Sequence, residues 1–154
     1  MPEVHAQPGS GTIMGDCHVF AVRVYYEDTD AAGIVYYANY LRFAERARTE
    51  LLRLVADAPM RAMMAEGTAF VVRRCALDYR QPARLDDRIE IHSRLIRSRG
   101  ASLSARQSVM RDAELLVDID VQVACMTREG RPTRVPPALR DALAPFTHAA
   151  KEPN

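Results

Sequence analysis

The sequence predicts an α+β domain in which one antiparallel sheet of five strands wraps around a single long helix. Three observations lead there. Only one segment, from Tyr37 to about Asp57, carries apolar residues at a helical period. The strand candidates around it run at a period of two, or are β-branched and aromatic. Short Gly-, Pro- and Asp-containing turns join the later strands, and short turns imply antiparallel neighbours. A sheet with one apolar face needs a cover, and the long helix is the only candidate.

The elements follow in order. "HVFAVRVYY" (18–26) is β-branched and aromatic and reads as a first strand. In the helical segment Tyr40, Phe43, Ala44, Ala47, Leu51, Leu54 and Val55 share a face, widened by Leu41 and Leu52. Pro59 is expected to help end it, with "MRAMMAEG" (60–67) a short helical or irregular piece closed by Gly67. In "TAFVVRRCALDY" (68–79) the expected inward set is Val71, Cys75, Leu77 and Tyr79. Ile89, Ile91 and Leu95 form the apolar face of 88–96, opposite Arg88, Glu90, His92 and Arg94. Leu103, Ala105 and Val109 do so in 102–110. "LLVDIDVQVAC" (115–125) alternates most cleanly, with Leu115, Val117, Ile119, Val121, Val123 and Cys125 inward. "VPPALRDALAPF" (135–146) adds a short helix opening at Pro137.

The chain has 154 residues, 21 basic and 20 acidic, for a net charge of +1. That length suits one core. The balance gives no bulk electrostatic case for nucleic acid or a membrane surface. No apolar run is long enough to span a bilayer, and the N-terminal stretch lacks a secretory apolar region. Residues 1–16 read as a disordered leader, 17–146 as the single domain and 147–154 as a flexible tail. Cys17, Cys75 and Cys125 are widely spaced, as reduced thiols in a cytoplasmic protein would be. Cys75 and Cys125 sit in apolar alternation and suit core packing. No metal-ligand spacing appears, and neither metal nor cofactor is expected.

The chemistry concentrates in "YYEDTDAAGIVYYANY" (25–40). Asp30 stands at a strand end, three residues before Gly33, which can take φ > 0 and turn the chain. The helix then opens near Tyr37, where its first N–H groups lack intrahelical acceptors and lie at the positive end of the dipole. A carboxylate beside free N–H donors suits acyl transfer: the donors polarise a carbonyl, and the carboxylate attacks it or activates water. The same residues, Asp28, Thr29 and Asp30, also suit plain turn and cap roles, which are the commoner use of such a pattern. Elsewhere His5, His18, His92 and His148 are scattered without a nucleophile beside them, so a triad is not expected.

"YYEDTDAAGIVYYANYLRFAERARTELLR" (25–53) closely resembles the hotdog-fold acyl-CoA thioesterases of the 4-hydroxybenzoyl-CoA thioesterase group, nearest the YbgC-type, Tol–Pal-associated branch. "FVVRRCALDYRQPARLDDRIEI" (70–91) and "RSRGASL" (97–103) match its following segments, and the resemblance covers about residues 18–140. It implies a hotdog fold, hydrolysis of an acyl-CoA to free acid and CoA, Asp30 as the catalytic carboxylate and the backbone N–H near Tyr37 as oxyanion donor. It implies acyl-group contacts from Gly33, Ile34, Val35, Tyr36 and Tyr40. It also implies a homo-oligomer, a dimer of dimers built through side-by-side sheets, with sites at subunit boundaries and CoA bound partly across them. Arg97 and Arg99, with Arg131 and Arg134, are candidates to grip CoA phosphates, as well as ordinary surface charge. Glu45 can face the pocket or pair with a neighbouring arginine, and Met60, Met63 and Met64 can line an acyl tunnel or pack adaptably in the core. The chain carries Tyr37 where the YbgC-type branch has His. There it is similar to the aromatic-acyl branch, so a hydroxybenzoyl-type substrate stands as an alternative, as does a non-catalytic acyl-CoA-binding or scaffold role.

Overall fold

The computed structural model describes residues 6–147. The outer parts of the expected leader and tail, with His5 and His148, lie outside the described residues. The strands are β1 (Thr12–Met14), β2 (Cys17–Arg23), β3 (Ala69–Tyr79), β4 (Arg88–Arg99), β5 (Ser102–Arg111) and β6 (Glu114–Met126). The helices are α1 (Asn39–Ala65) and α2 (Pro137–Leu143). The sheet is antiparallel throughout, in the order β1-β2-β4-β5-β6-β3. It therefore has six strands, not five. The added one, β1, falls inside the stretch expected as leader and pairs Thr12 with Val19. Its three residues are too short for a period-two pattern to register.

Helix α1 crosses the inner face. Tyr40, Phe43, Ala44 and Ala47 pack on Ile89, Ile91, Val109, Val117 and Ile119. Ala44 and Ala47 are fully buried, and their small side chains let the helix lie close to the sheet. Further along, Leu51 and Met63 meet Leu95, Leu103, Val121, Cys125 and the α2 residues Leu139 and Leu143. Leu54, expected on the buried face, is exposed.

The first helical segment ends close to the expected Asp57, just ahead of Pro59, and a second segment follows it directly. The chain leaves helical geometry at buried Ala56 (φ −149°, ψ 34°) and resumes through Pro59 to Ala65. A proline has no N–H to give and fits the first turn of a resumed helix, so the ladder breaks ahead of it and restarts. Gly67 closes the second segment at φ +80°, the left-handed stop that glycine supplies.

Two bulges correct the expected strand faces. Pairing slips between Val72 and Arg74, so Phe70 turns inward while Val71 is exposed; Cys75, Leu77 and the half-exposed Tyr79, whose ring meets Tyr40, keep their expected side. Pairing also slips where Val109 faces Val117 but Met110 faces Leu115. The extra residue, Leu116, is fully buried in place of Leu115. A bulge inserts one residue and shifts the side-chain alternation beyond it.

Candidate active site

The acidic segment forms a short, tightly bonded hairpin between β2 and α1. Residues Tyr26–Asp28 make one 3-10 turn. Asp30 N–H donates to Ile34 O (2.9 Å), Gly33 N–H to Asp30 O (3.0 Å) and Tyr36 N–H to Asp28 O (2.9 Å). Gly33 takes φ +78°, the value the turn demands and a side chain would resist. The Asn39 side-chain amide donates to Asp28 O (2.9 Å), tying the first residue of α1 to the acidic turn.

The two aspartates are used differently. The Asp28 carboxylate folds back to accept the Tyr25 N–H (2.8 Å). It is a cap. The exposed Asp30 carboxylate accepts the Ala32 N–H on one oxygen (2.8 Å), and its second oxygen has no partner among the described residues. One oxygen is therefore fixed by the loop while the other is presented to solvent.

Tyr37 precedes α1 and is exposed. Helical hydrogen bonding begins with Asn39 N–H to Tyr36 O (2.8 Å), and Tyr37 N–H has no acceptor among the described residues. Its carbonyl accepts from the Tyr79 hydroxyl (3.0 Å), which pins the peptide unit. The rings of Tyr36, Tyr37, Tyr79 and Tyr40 touch in succession, with centroids 4.9, 6.3 and 5.8 Å apart. Burial, with the neighbouring tyrosines, pushes the Tyr79 phenol up, so it stays a donor.

A loop from Arg80 to Asp87 backs this hairpin. Val35 N–H donates to Ala83 O (2.9 Å), and the buried Tyr40 hydroxyl accepts the Ala83 N–H (3.0 Å). Asp87 accepts from Arg84 N–H (2.8 Å) and from the Arg111 guanidinium (2.7 Å). Partial burial raises the Asp87 carboxyl, but these two donors outweigh it and hold the group below its ordinary value.

Asp30, Gly33, Ile34, Val35, Tyr36, Tyr37 and Tyr40 are thus brought into one hairpin and helix start. Within it Val35 and Tyr40 are buried supports, while Tyr36 and Tyr37 are exposed. Arg97 and Arg99 are not beside it. They lie nine and more residues along β4 from Arg88, roughly 30 Å at about 3.3 Å per residue. There they share the sheet end with Arg134, whose neighbour Val135 donates to Gly100 O (3.0 Å). Arg97, Arg99, Arg131 and Arg134 are exposed and make no ion pair with any described residue.

Glu45 pairs with Arg48, and both line a cavity of about 570 Å³ between α1 and the inner sheet face. Met60, Met63 and Met64 line it too. Sequence reading missed Tyr79 as a support of Tyr37 and missed Gln107 altogether. Gln107 did carry a signal: it is the one amide in the apolar alternation of Leu103, Ala105 and Val109.

An α1 helix wrapped by one antiparallel sheet, with a carboxylate hairpin at the helix start, defines a hotdog-fold thioesterase. The profile of the thioesterase-like superfamily matches residues 24–143, and the chain belongs to that family. It is similar to the acyl-CoA thioester hydrolase YbgC of Escherichia coli, 49% identical over 106 residues, 68% of this chain and 78% of that one. It is also similar to the acyl-CoA thioesterase YbgC of Haemophilus influenzae, 44% identical over 107 residues, 70% of this chain and 79% of that one. A crystal structure of a probable thioesterase from Bartonella henselae superposes with a TM-score of 0.70 at 37% identity, over 78% of this chain and 98% of that one. These relatives bear out the resemblance seen in residues 25–53.

Proposed function

We propose that the protein hydrolyses acyl-CoA thioesters to free acid and CoA, with Asp30 as the reacting carboxylate. The observation that carries this is the pairing of a half-engaged, exposed Asp30 carboxylate with an unpartnered Tyr37 N–H at the start of α1. The Tyr37 N–H, at the positive end of the helix, polarises the thioester carbonyl and receives its developing negative charge. Asp30 then acts in one of two balanced ways. It attacks the carbonyl carbon, expelling CoA thiolate and leaving a mixed anhydride that water opens. Or it takes a proton from water, whose oxygen adds to the carbon before the C–S bond breaks. In both, the thiolate ends protonated as free CoA. Hydroxylamine or borohydride trapping during turnover separates them, since only the anhydride route places an acyl group on Asp30.

The exposed tyrosines at the helix start favour a second reading of the acyl group, as an aromatic ring stacked beside Tyr37.

The working unit is a homo-oligomer formed along β3. That strand is an eleven-residue edge of the sheet, with Val71 and Val72 about half exposed. A long edge with unpaired main-chain groups is a template for another strand, and here it carries a bulge with Arg73 and Arg74. Antiparallel pairing with a second copy would set the Tyr79 end of one β3, which carries the site, beside the Ala69 end of the other. The Ala69 end is the arginine-bearing end, because Ala69 pairs with Met126. Arg97 and Arg99 would then serve the partner's site rather than their own, gripping CoA phosphates across the boundary. No helix among the described residues is long and apolar enough to cross a membrane, and a cytoplasmic place suits a CoA substrate.

Asp30→Asn tests the proposal. The expected result is a folded protein that has lost about 100-fold or more in turnover. Wild-type turnover on every thioester tried would show that Asp30 is not the reacting carboxylate.

A further inference from the structure

The cavity beside α1 holds a polar fixture that the hydrolysis of a thioester does not need. It is lined by both segments of α1, from Glu45 to Arg53 before the break at Ala56 and from Asp57 to Met64 after it. Most of its wall is apolar: Leu51, Leu52, Met60, Met63, Phe70 and Leu95 among others. Such a shape suits a chain more than a ring.

At the Glu45 end the wall changes. Gln107, fully buried at the centre of β5, donates its side-chain amide to Ala44 O (2.9 Å) and to Ser93 Oγ (3.0 Å). Its side-chain carbonyl accepts from Arg48 (2.8 Å). Arg48 also pairs with Glu45. Gln107 has both ends fixed, so it locks Ser93 and Arg48 in place. Ser93 and Arg48 both line the cavity. The Ser93 hydroxyl already accepts from Gln107, and its own proton has no acceptor among the described residues. Arginine carries five N–H donors, and Gln107 and Glu45 use only part of the Arg48 set.

Leaving donors open in an apolar cavity is costly unless something fills them. Arg48 is largely buried against Gln107, while Glu45, which also lines the cavity, is exposed. Glu45 cancels the Arg48 charge, which disfavours a carboxylate guest and supplies an acceptor for a hydroxyl proton. We infer that the Ser93–Arg48–Glu45 constellation, held by Gln107, is a specificity site for an acyl chain bearing an uncharged oxygen, a hydroxyl above all, remote from the thioester. The hydroxyl oxygen accepts from Arg48 and Ser93, and its proton goes to Glu45. This rests on the acyl-CoA reading of the site, but its test does not depend on turnover.

The experiment measures binding of thioether analogues of CoA, which have no carbonyl to hydrolyse. S-dodecyl-CoA is compared by calorimetry with a set of S-(hydroxydodecyl)-CoA molecules carrying the hydroxyl at successive positions. At one position the hydroxyl is expected to tighten binding by on the order of 10-fold or more, the size of a satisfied buried hydrogen bond to a charged group. Ser93→Ala, a small change, is expected to remove several-fold of that gain, and Arg48→Met, which keeps the stem, most of it. Circular dichroism and thermal melting confirm that each variant is folded. Equal affinities at every hydroxyl position, no binding of any analogue, or a preference that survives in both folded variants would overturn the inference. Thioester turnover, measured separately, decides the hydrolase reading.

Discussion

At the scale of single residues, Asp28 and Asp30 show how the same side chain takes two roles through its hydrogen bonds. Asp28 spends its carboxylate on Tyr25 N–H. Asp28→Asn keeps an acceptor oxygen, so its turnover is expected to stay within several-fold of wild type, against a loss of about 100-fold or more for Asp30→Asn. Steady-state kinetics on one thioester compares them directly. Tyr37→Phe is expected to keep most activity, because the groups assigned to it are its N–H and its ring; a dead variant would mean that the hydroxyl does the chemistry. Asp87 makes a third case, this one about stability. Its carboxyl lies below the ordinary value of 3.8 because Arg84 N–H and Arg111 outweigh its partial burial. A depressed carboxyl stabilises the fold above its unfolded pKa, and that contribution is lost as pH falls through the folded pKa. Chemical denaturation is therefore expected to show wild type weakening below about pH 4. Asp87→Asn should cost about 1–3 kcal/mol at pH 7 and narrow its gap to wild type on acidification. A gap that does not change with pH would refute the assignment.

At the scale of elements, what could be read in advance depended on whether a local pattern had a competitor. The inner faces of β4 up to Leu95 and of β5 follow their alternation, and α2 opens at Pro137, because the one slip in the β4–β5 pairing comes only after Leu95. The face of β3 ahead of Arg73 could not be read, because the slip there is set by pairing with β6 and not by β3 itself. Pro59 was legible as a break, since the first helical segment stops at Ala56, but the immediate restart through Pro59 to Ala65, with Met63 buried, was legible only as a short helical or irregular piece. The acidic hairpin was legible from Gly33 and the crowded aspartates. Its supports Ala83, Asp87 and Tyr79 were not, since they reach it from 40 or more residues away, as the Tyr79–Tyr37 bond does. Gly67 offers a direct test of local strain. It sits at φ +80°, and a Cβ there would press on the Arg128 guanidinium. The arginine tip can move, so the backbone conformation sets the cost. Gly67→Ala is expected to lower stability by about 1 kcal/mol, measured as a shift in denaturation midpoint without a change of slope. A neutral result would show that the helix end relaxes freely.

At the scale of the whole molecule, the open β3 edge is where the proposed second copy would pair. Val71→Lys places a charge on that edge, at a residue outside the cavity wall. Charged edges resist pairing, so sedimentation of this variant at micromolar concentration is expected to shift toward monomer, and hydrolysis to fall with it if the arginines act across the boundary. A variant that sediments like wild type would place the contact elsewhere. The two borders of the sheet are unequal: eleven residues of β3 on one side, three of β1 on the other. Joining two long borders about a two-fold axis uses both of them at once. What remains at either end of the enlarged sheet is the stub of β1 and the four residues of β2 beyond it, Phe20 to Arg23, both short for seeding another addition. In the proposed dimer, growth by strand pairing would therefore stop after one step, and a sticky seam for assembly would not lead to a fibre.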